Sequence, residues 1–406
     1  MEELDHIILD KTLFQTQLLN FFKDKKHIIF LNRNDVEKMN FFAVSNSDDL
    51  YMQDNQFGFV SYDYKNQIEQ LFSKNFDGIQ FPEKHFFTPE ILFKINNQSI
   101  RVLYSTSLYN KKDIEKILIK IQQVSFEKIN ASVIEVVQRI SKEEYIQTVE
   151  VLKEHIQQGD IYEVNYCQEY FAENVKTDPI DIYLRLNEKS PTPFSCFVKY
   201  DEKYLMSSSP ERFIQKCGRK IISQPIKGTI KRGKTKQEDE NLKNILLNDK
   251  KERSENIMIV DLVRNDISKI AKCIKVDELC GIYTFPQVHQ MISTVSGQIN
   301  DNINFEKIIK STFPMGSMTG APKIRAMELI EKYEKTKRGL YSGTVGYINK
   351  TGDFDFNVII RSILYNQENN YLSFIVGGAI TSQSDPEKEY DECLLKAKAM
   401  IEVLGN

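Results

Sequence analysis

Lys227 lies between a short apolar run and a Gly-Thr pair, in Gln224-Pro225-Ile226-Lys227-Gly228-Thr229. Gly228 has no side chain, so a ligand or another backbone can come close there. An amine fixed at such a point serves either as an ion-pair partner or as a nucleophile. Two acidic pairs supply a second chemistry. Glu252 and Glu255 stand three apart in Lys251-Glu252-Arg253-Ser254-Glu255-Asn256, and Glu389 and Glu392 repeat that spacing in Asp385-Pro386-Glu387-Lys388-Glu389-Tyr390-Asp391-Glu392. On helices each pair shares one face. Two such faces together suit a hard divalent cation such as Mg²⁺, which takes oxygen ligands; two acidic faces in water are the alternative.

Three further stretches bear on binding and proton transfer. Glu211 follows an extended run and a proline in Ser207-Ser208-Ser209-Pro210-Glu211-Arg212-Phe213. Buried among apolar groups, its pKa would rise and it would act as a general acid; in an open turn it is an ordinary carboxylate. The Gly/Ser/Thr turn of Phe313-Pro314-Met315-Gly316-Ser317-Met318-Thr319-Gly320-Ala321-Pro322-Lys323 runs into a helix N-terminus, which presents free amides to an anion. Gly377 and Gly378, read as the end of the apolar strand Tyr371 to Val376, let a carboxylate meet backbone amides. Arg361, closing the strand from Phe356, can grip a carboxylate with two parallel bonds.

The elements that must position these groups follow from pattern. Arg219 to Ser223 reads as the strand leading to Lys227. Apolar positions at Ile257, Ile259, Val260, Leu262 and Val263 predict an amphipathic helix carrying Glu252 and Glu255. Ser141 and Glu144 make a capping box for a helix through Ile156 that ends at Gly159. Pro322 and Pro386 sit where first helical turns begin. The mixed-charge run Lys231 to Asp239 reads as a solvated loop. Before about residue 130, short apolar runs (His27 to Leu31, Phe57 to Tyr62, Ile100 to Tyr104) predict strands of a mixed α+β region with no catalytic constellation. The expected division is thus 1–130 and 131–406.

Bulk properties exclude several classes. The 406 residues are 41% hydrophobic and 27% charged, ordinary for a globular enzyme. A net charge of −3 is no footprint for nucleic acid or an anionic membrane. No apolar run approaches the roughly 18 residues needed to span a bilayer, and the acidic N-terminus lacks a signal peptide's features. Six scattered cysteines without a C-x-x-C pair fit a reducing cytoplasm. With only five histidines, His-rich metal sites have little material.

Taken in order, these stretches resemble the chorismate-utilising enzymes. The matching segments are Gly159-Asp160-Ile161-Tyr162-Glu163-Val164-Asn165, Ser209 to Arg212, Pro225 to Thr229, Asp261-Leu262-Val263-Arg264-Asn265-Asp266, Thr319 to Lys323 and Gly377 to Ile380, within residues 135 to 405. The resemblance implies an α+β fold of the anthranilate synthase component I type, two large antiparallel sheets packed together with helices outside. It implies that Glu255 and Glu392 contact Mg²⁺, with Glu252 and Glu389 nearby. Thr229, His289, Arg361, Gly377, Gly378, Ala379 and Lys396 would line the chorismate site, and Glu211 would help the C4 hydroxyl leave.

Single residues then distinguish members of the family. Isochorismate and salicylate synthases carry a water-activating lysine where this chain has Glu163; amine-transferring members usually have glutamine there. Anthranilate synthases usually have alanine where this chain has Lys227, and aminodeoxychorismate synthases have lysine. In the latter, that lysine attacks C2 of chorismate as the C4 hydroxyl leaves, and ammonia then displaces it. Such an amine must be neutral, so its pKa must fall well below about 10.4; a structural Lys227 would instead pair with Glu211 or substrate. No cysteine lies in a Gly-x-Cys-x-Gly elbow, so ammonia is expected free or from a separate glutamine amidotransferase subunit. Anthranilate synthase component I is the alternative, although its Leu-Leu-Glu-Ser element is absent from the N-terminal region. A non-catalytic chorismate-binding homologue is disfavoured by the full set of glutamates and Lys227.

Overall fold

The strand His27–Asn32 is buried along its whole length, and its side chains part with the two-residue period of a strand. Ile28 and Phe30 enter one apolar core, Ile29 and Leu31 another. That division organises the whole protein. The computed structural model describes residues 1–35, 37–126 and 133–405; the boundary expected at 130/131 lies outside the described residues.

Two antiparallel sheets stack face to face. The larger has 12 strands. Its order is Glu2–Ile7, Ser99–Tyr104, Ile91–Ile95, Asn40–Ser45, His27–Asn32, Phe194–Tyr200, Lys203–Ser209, Ser362–Asn366, Tyr371–Ile380, Glu163–Ala172 and Gly320–Ala321, with Val137–Gln138 also pairing on Glu163–Ala172. The smaller has nine, in the order Ile226–Lys231, Val288–Ile299, Lys220–Gln224, Arg212–Cys217, Phe354–Asn357, Thr344–Ile348, Gln56–Val60 and Lys84–Phe87, with Ala271–Thr284 also pairing on Val288–Ile299. Strands from the first hundred residues therefore share both sheets with later ones.

One core fills the space between the sheets, and the second lies under the helices covering the outer face of the larger sheet. Helix Pro386–Gly405 buries Tyr390, Cys393, Ala397, Met400 and Val403 there, alongside helix Lys142–Gln157 with Val149 and Leu152. Helix Lys250–Ser268 drives Ile259, Val260, Val263 and Ile267 into the inter-sheet core. Its first turn is capped by Asp249, whose side chain accepts from the Glu252 amide at 3.0 Å.

Four local expectations are corrected. The run Lys231 to Asp239 is not a loop throughout: the strand extends to Lys231, Thr235 caps a helix over Lys236–Asn248, and Asp239 is already helical. Of the Ser141 capping box only half forms; Ser141 accepts from the Glu144 amide, while the Glu144 carboxylate pairs with Lys335 at 3.3 Å. Tyr371–Ile380 continues through both glycines instead of ending before them. The strand expected to reach Arg361 stops at Asn357, and Arg361 turns a corner at φ 51°.

Candidate active site

Lys227 sits on Ile226–Lys231, the first strand of the smaller sheet, at a register shift against Val288–Ile299. Gly228, at φ +92°, completes the distortion; an added Cβ there would lie 3.2 Å from Glu252 Oε2. This backbone carries Lys227 to the end of the larger sheet, where Nζ donates to Glu163 Oε1 at 2.8 Å. Glu163 is 1% exposed and opens the strand Glu163–Ala172. Its other oxygen, Oε2, is buried without a hydrogen-bond partner.

The electrostatics depart from expectation. Burial pulls the Lys227 ammonium down, but the carboxylates of Glu163 and Glu255, the bond to Glu163 and the charge of Glu211 outweigh it and leave its pKa raised. The amine is thus held as a cation, not lowered into neutrality, and its ion-pair partner is Glu163, not Glu211. Glu211 fulfils its own reading better. It is 4% exposed, and burial pushes its carboxyl up to about 7, against a bond from Ser317, the charge of Lys227 and the Ile226 amide. Ser317 Oγ donates to Glu211 Oε1 at 2.8 Å.

The two acidic helices face each other across this pair. Lys251 Nζ lies 3.8 Å from Glu255 Oε1 and 3.4 Å from Glu389 Oε1, bridging them. Glu255 is pushed up to about 7 by burial, opposed mainly by Lys227, and Glu252 is raised by burial and by Glu392. Burial works against the charge of Glu392, yet Lys396 at 2.6 Å outweighs it. Glu255 Oε1 is buried with no hydrogen bond. Among the described residues, no three of these carboxylates bring oxygens within 4.8 Å of one another. The donor set is all oxygen, carries excess negative charge and includes an unsatisfied buried oxygen, so it fits a hard divalent cation whose shell is completed by other oxygens.

The glycines divide in role. A Cβ on Gly377 would strike Tyr166 O at 2.3 Å and Cys167 Sγ at 2.4 Å, so this glycine permits strand packing. On Gly378 its nearest neighbours would be Glu389 Oε2 at 3.3 Å, Lys396 Nζ at 3.8 Å and Glu392 Oε1 at 3.9 Å; this glycine borders the acidic side chains. Lys396 Nζ also donates to Gly377 O at 2.7 Å. Ala379 pairs with Asn165 in register. Burial lowers the Arg361 guanidinium, opposed by Tyr341 and Glu392, and no carboxylate pairs with it among the described residues. Thr229 is exposed. His289 is fully buried, with Nε2 at 2.9 Å from Asp239 Oδ1 and Nδ1 at 3.0 Å from Thr284 Oγ1, so both ring nitrogens are occupied by protein.

Sequence reasoning missed Ser317, Lys251 and Asp239. Ser317 lay inside a turn valued for its backbone amides, and only the fold brings it to Glu211. Lys251 precedes the first acidic pair by one residue, and its i,i+4 spacing to Glu255 was legible. Asp239 was hidden by the loop reading. Below the site, Arg338 bonds Glu334 and the carbonyls of Met318 and Asn165, locking the Gly-rich turn against the strand that begins at Glu163.

A family model described as chorismate binding enzyme matches residues 8–402. The chain is 34% identical over 365 residues to the chloroplastic aminodeoxychorismate synthase of Arabidopsis thaliana, covering 84% of this chain and 39% of that one. It is 32% identical over 365 residues to anthranilate synthase component 1 of Aquifex aeolicus (strain VF5), covering 86% of this chain and 73% of that one. It thus spans about two fifths of the plant relative's length. The crystal structure of anthranilate synthase component I from Streptococcus pneumoniae TIGR4 superposes with a TM-score of 0.77 at 25% identity, over 99% of this chain and 92% of that one. The α+β fold of two large antiparallel sheets is therefore the one expected.

Proposed function

This chain belongs to the chorismate binding enzyme family, and from that premise we propose that it is an aminodeoxychorismate synthase component 1. It would convert chorismate and ammonia to 4-amino-4-deoxychorismate and water, on the route to 4-aminobenzoate and folate. The observation that carries the reading is Lys227, an amine held at 2.8 Å from a buried carboxylate between two acidic helices and beside the raised carboxyl of Glu211.

The chemistry assigns each group a task. Lys227 must lose a proton before it can attack, and Glu163 Oε1 is the acceptor already in hydrogen-bond contact. Nζ then forms a bond to C2 of chorismate as the C4–oxygen bond breaks. Glu211 delivers its proton to the departing hydroxyl, which leaves as water. Ammonia adds at C4, the C2–nitrogen bond breaks, and the lysine amine is regenerated; the surplus ammonia proton returns to the Glu211 carboxylate. Mg²⁺ held by Glu255 and Glu392, with Glu252 and Glu389 behind them, would supply positive charge to the ring carboxylate. Arg361, Lys396 and the Gly378 backbone are assigned to the substrate's carboxylates. The ammonia would come from a separate glutamine amidotransferase subunit, a reading supported by the component naming of the Aquifex relative.

One observation favours a second reading, anthranilate synthase component 1. Glu163 keeps Lys227 protonated, and an ammonium that never deprotonates leaves C2 open to ammonia. Purified chain, chorismate, Mg²⁺ and ammonium, with and without added aminodeoxychorismate lyase, separate the two. Lyase-dependent 4-aminobenzoate is expected; anthranilate formed without lyase identifies the second reading.

A further inference from the structure

His27, Asp48 and His85 come together far from the acidic pocket, and we propose that they form a transition-metal site of the zinc class that clips the two sheets to each other. His27 belongs to the larger sheet, on the strand His27–Asn32, where it shares the inter-sheet face with Ile29 and Leu31. His85 belongs to the smaller sheet's last strand, Lys84–Phe87, on the face of Phe87. Asp48 comes from the segment between Asn40–Ser45 and Gln56–Val60. One potential ligand atom from each of the three lies within 4.8 Å of the others.

The geometry suits a small borderline cation. His27 Nε2 is 2.8 Å and His85 Nε2 3.9 Å from the same oxygen, Asp48 Oδ1. Zinc–ligand bonds of about 2.0–2.2 Å put tetrahedral ligand atoms roughly 3.3–3.5 Å apart, between those two values. His85 Nε2 is buried with no hydrogen bond, and so is His27 Nδ1. The His27 proton can therefore reside on Nδ1 as well as on Nε2, which frees the Nε2 lone pair. The other Asp48 oxygen is bonded by Lys26, which orients the carboxylate and stays clear of Oδ1. Tyr200 stacks on His27 and meets His85 edge-on, walling the site from the core. Asp48 is 55% exposed, leaving an entry path from solvent.

Mixed imidazole and carboxylate donors select Zn²⁺ and its neighbours over Mg²⁺. Three protein donors leave one tetrahedral position to a solvent oxygen, and because His27 and His85 stand on different sheets a bound ion would fasten the edge of the smaller sheet to the centre of the larger. Histidines 58 positions apart give no sequence signature, which is why the count of five histidines leaves little sign of a site.

The test is metal binding by the full chain after chelation, with excess Mg²⁺ present to occupy the acidic helices. Zn²⁺ retention is counted by elemental analysis after gel filtration, and Co²⁺ is followed by visible absorption. One Zn²⁺ per chain, tetrahedral Co²⁺ bands and a Zn²⁺-dependent rise in Tm are expected. His85→Gln and Asp48→Asn should weaken affinity about 10–100-fold each, while His6→Gln leaves it unchanged. Circular dichroism of each variant verifies that it is folded. Equal Zn²⁺ affinity in wild type and His85→Gln, or no retained Zn²⁺ in wild type, overturns the site.

Discussion

Glu163 is buried and Lys227 largely so, and the charge on each makes the other's burial tolerable. A lone buried ammonium would shed its proton; beside Glu163 it keeps it. Replacing Glu163 with glutamine leaves burial unopposed by its nearest partner, so the ammonium pKa must fall. Wild type moves that proton within the pair and is therefore expected to show no ascending limb from Lys227 in the pH profile of kcat/KM, whereas Glu163→Gln must lose it to solvent and should gain activity as pH rises; a flat acid side in the variant would show that Lys227 ionisation does not govern turnover. Glu211 gives the opposite limb. Its proton is lost as pH rises through about 7, and acid catalysis goes with it. Glu211→Gln should lower kcat by about 10²–10⁴-fold and remove that descending limb. Stability has a matching sign. A carboxyl raised from 4.5 to about 7 stabilises the fold fully below pH 4.5 and ceases to do so as pH rises through about 7. Denaturation midpoints of Glu211→Gln should accordingly fall less than those of wild type across that window.

At the scale of elements, the site is built by strand ends and helix starts. Lys227 and Gly228 interrupt an edge strand, Glu163 opens an inner one, and Glu252 and Glu389 stand in first turns where helix amides favour carboxylates, with Glu255 and Glu392 one turn on. The glycine pair makes the difference between packing and function measurable. Gly377→Ala forces a carbon to 2.3 Å from a backbone oxygen and should cost about 1–3 kcal/mol, seen as a lowered denaturation midpoint. Gly378→Ala should keep the midpoint and raise KM for chorismate or Mg²⁺; equal destabilisation by both would refute the division. These residues also show what a sequence discloses. The i,i+3 glutamates, Lys227 and Glu211 were legible because their types are chemically conspicuous and their helical spacing is local. Helix Lys236–Asn248 was missed because its charges mask a sparse apolar face that buries little beyond Leu246. The path of Tyr371–Ile380 through two glycines was missed because Glu163–Ala172 pairs with every residue from Leu372 to Ile380, and that partner is 200 residues away in the chain. The Lys227–Glu163 contact likewise joins two sheets and has no local trace.

The whole molecule is a pair of sheets that bring distant segments to one end, where two acidic helices close over a lysine. Relatives named aminodeoxychorismate synthase and anthranilate synthase component 1 match this chain at similar identity, 34% and 32%, so the scaffold alone does not select between them. Under the proposed function Lys227 would make the selection, by occupying C2 while ammonia enters at C4. The direct measurement is the product of Lys227→Ala with chorismate, Mg²⁺ and ammonium, resolved by chromatography beside wild type. Loss of 4-amino-4-deoxychorismate with a shift toward addition at C2 is expected. Undiminished 4-amino-4-deoxychorismate from that variant, with no C2 product, would contradict it.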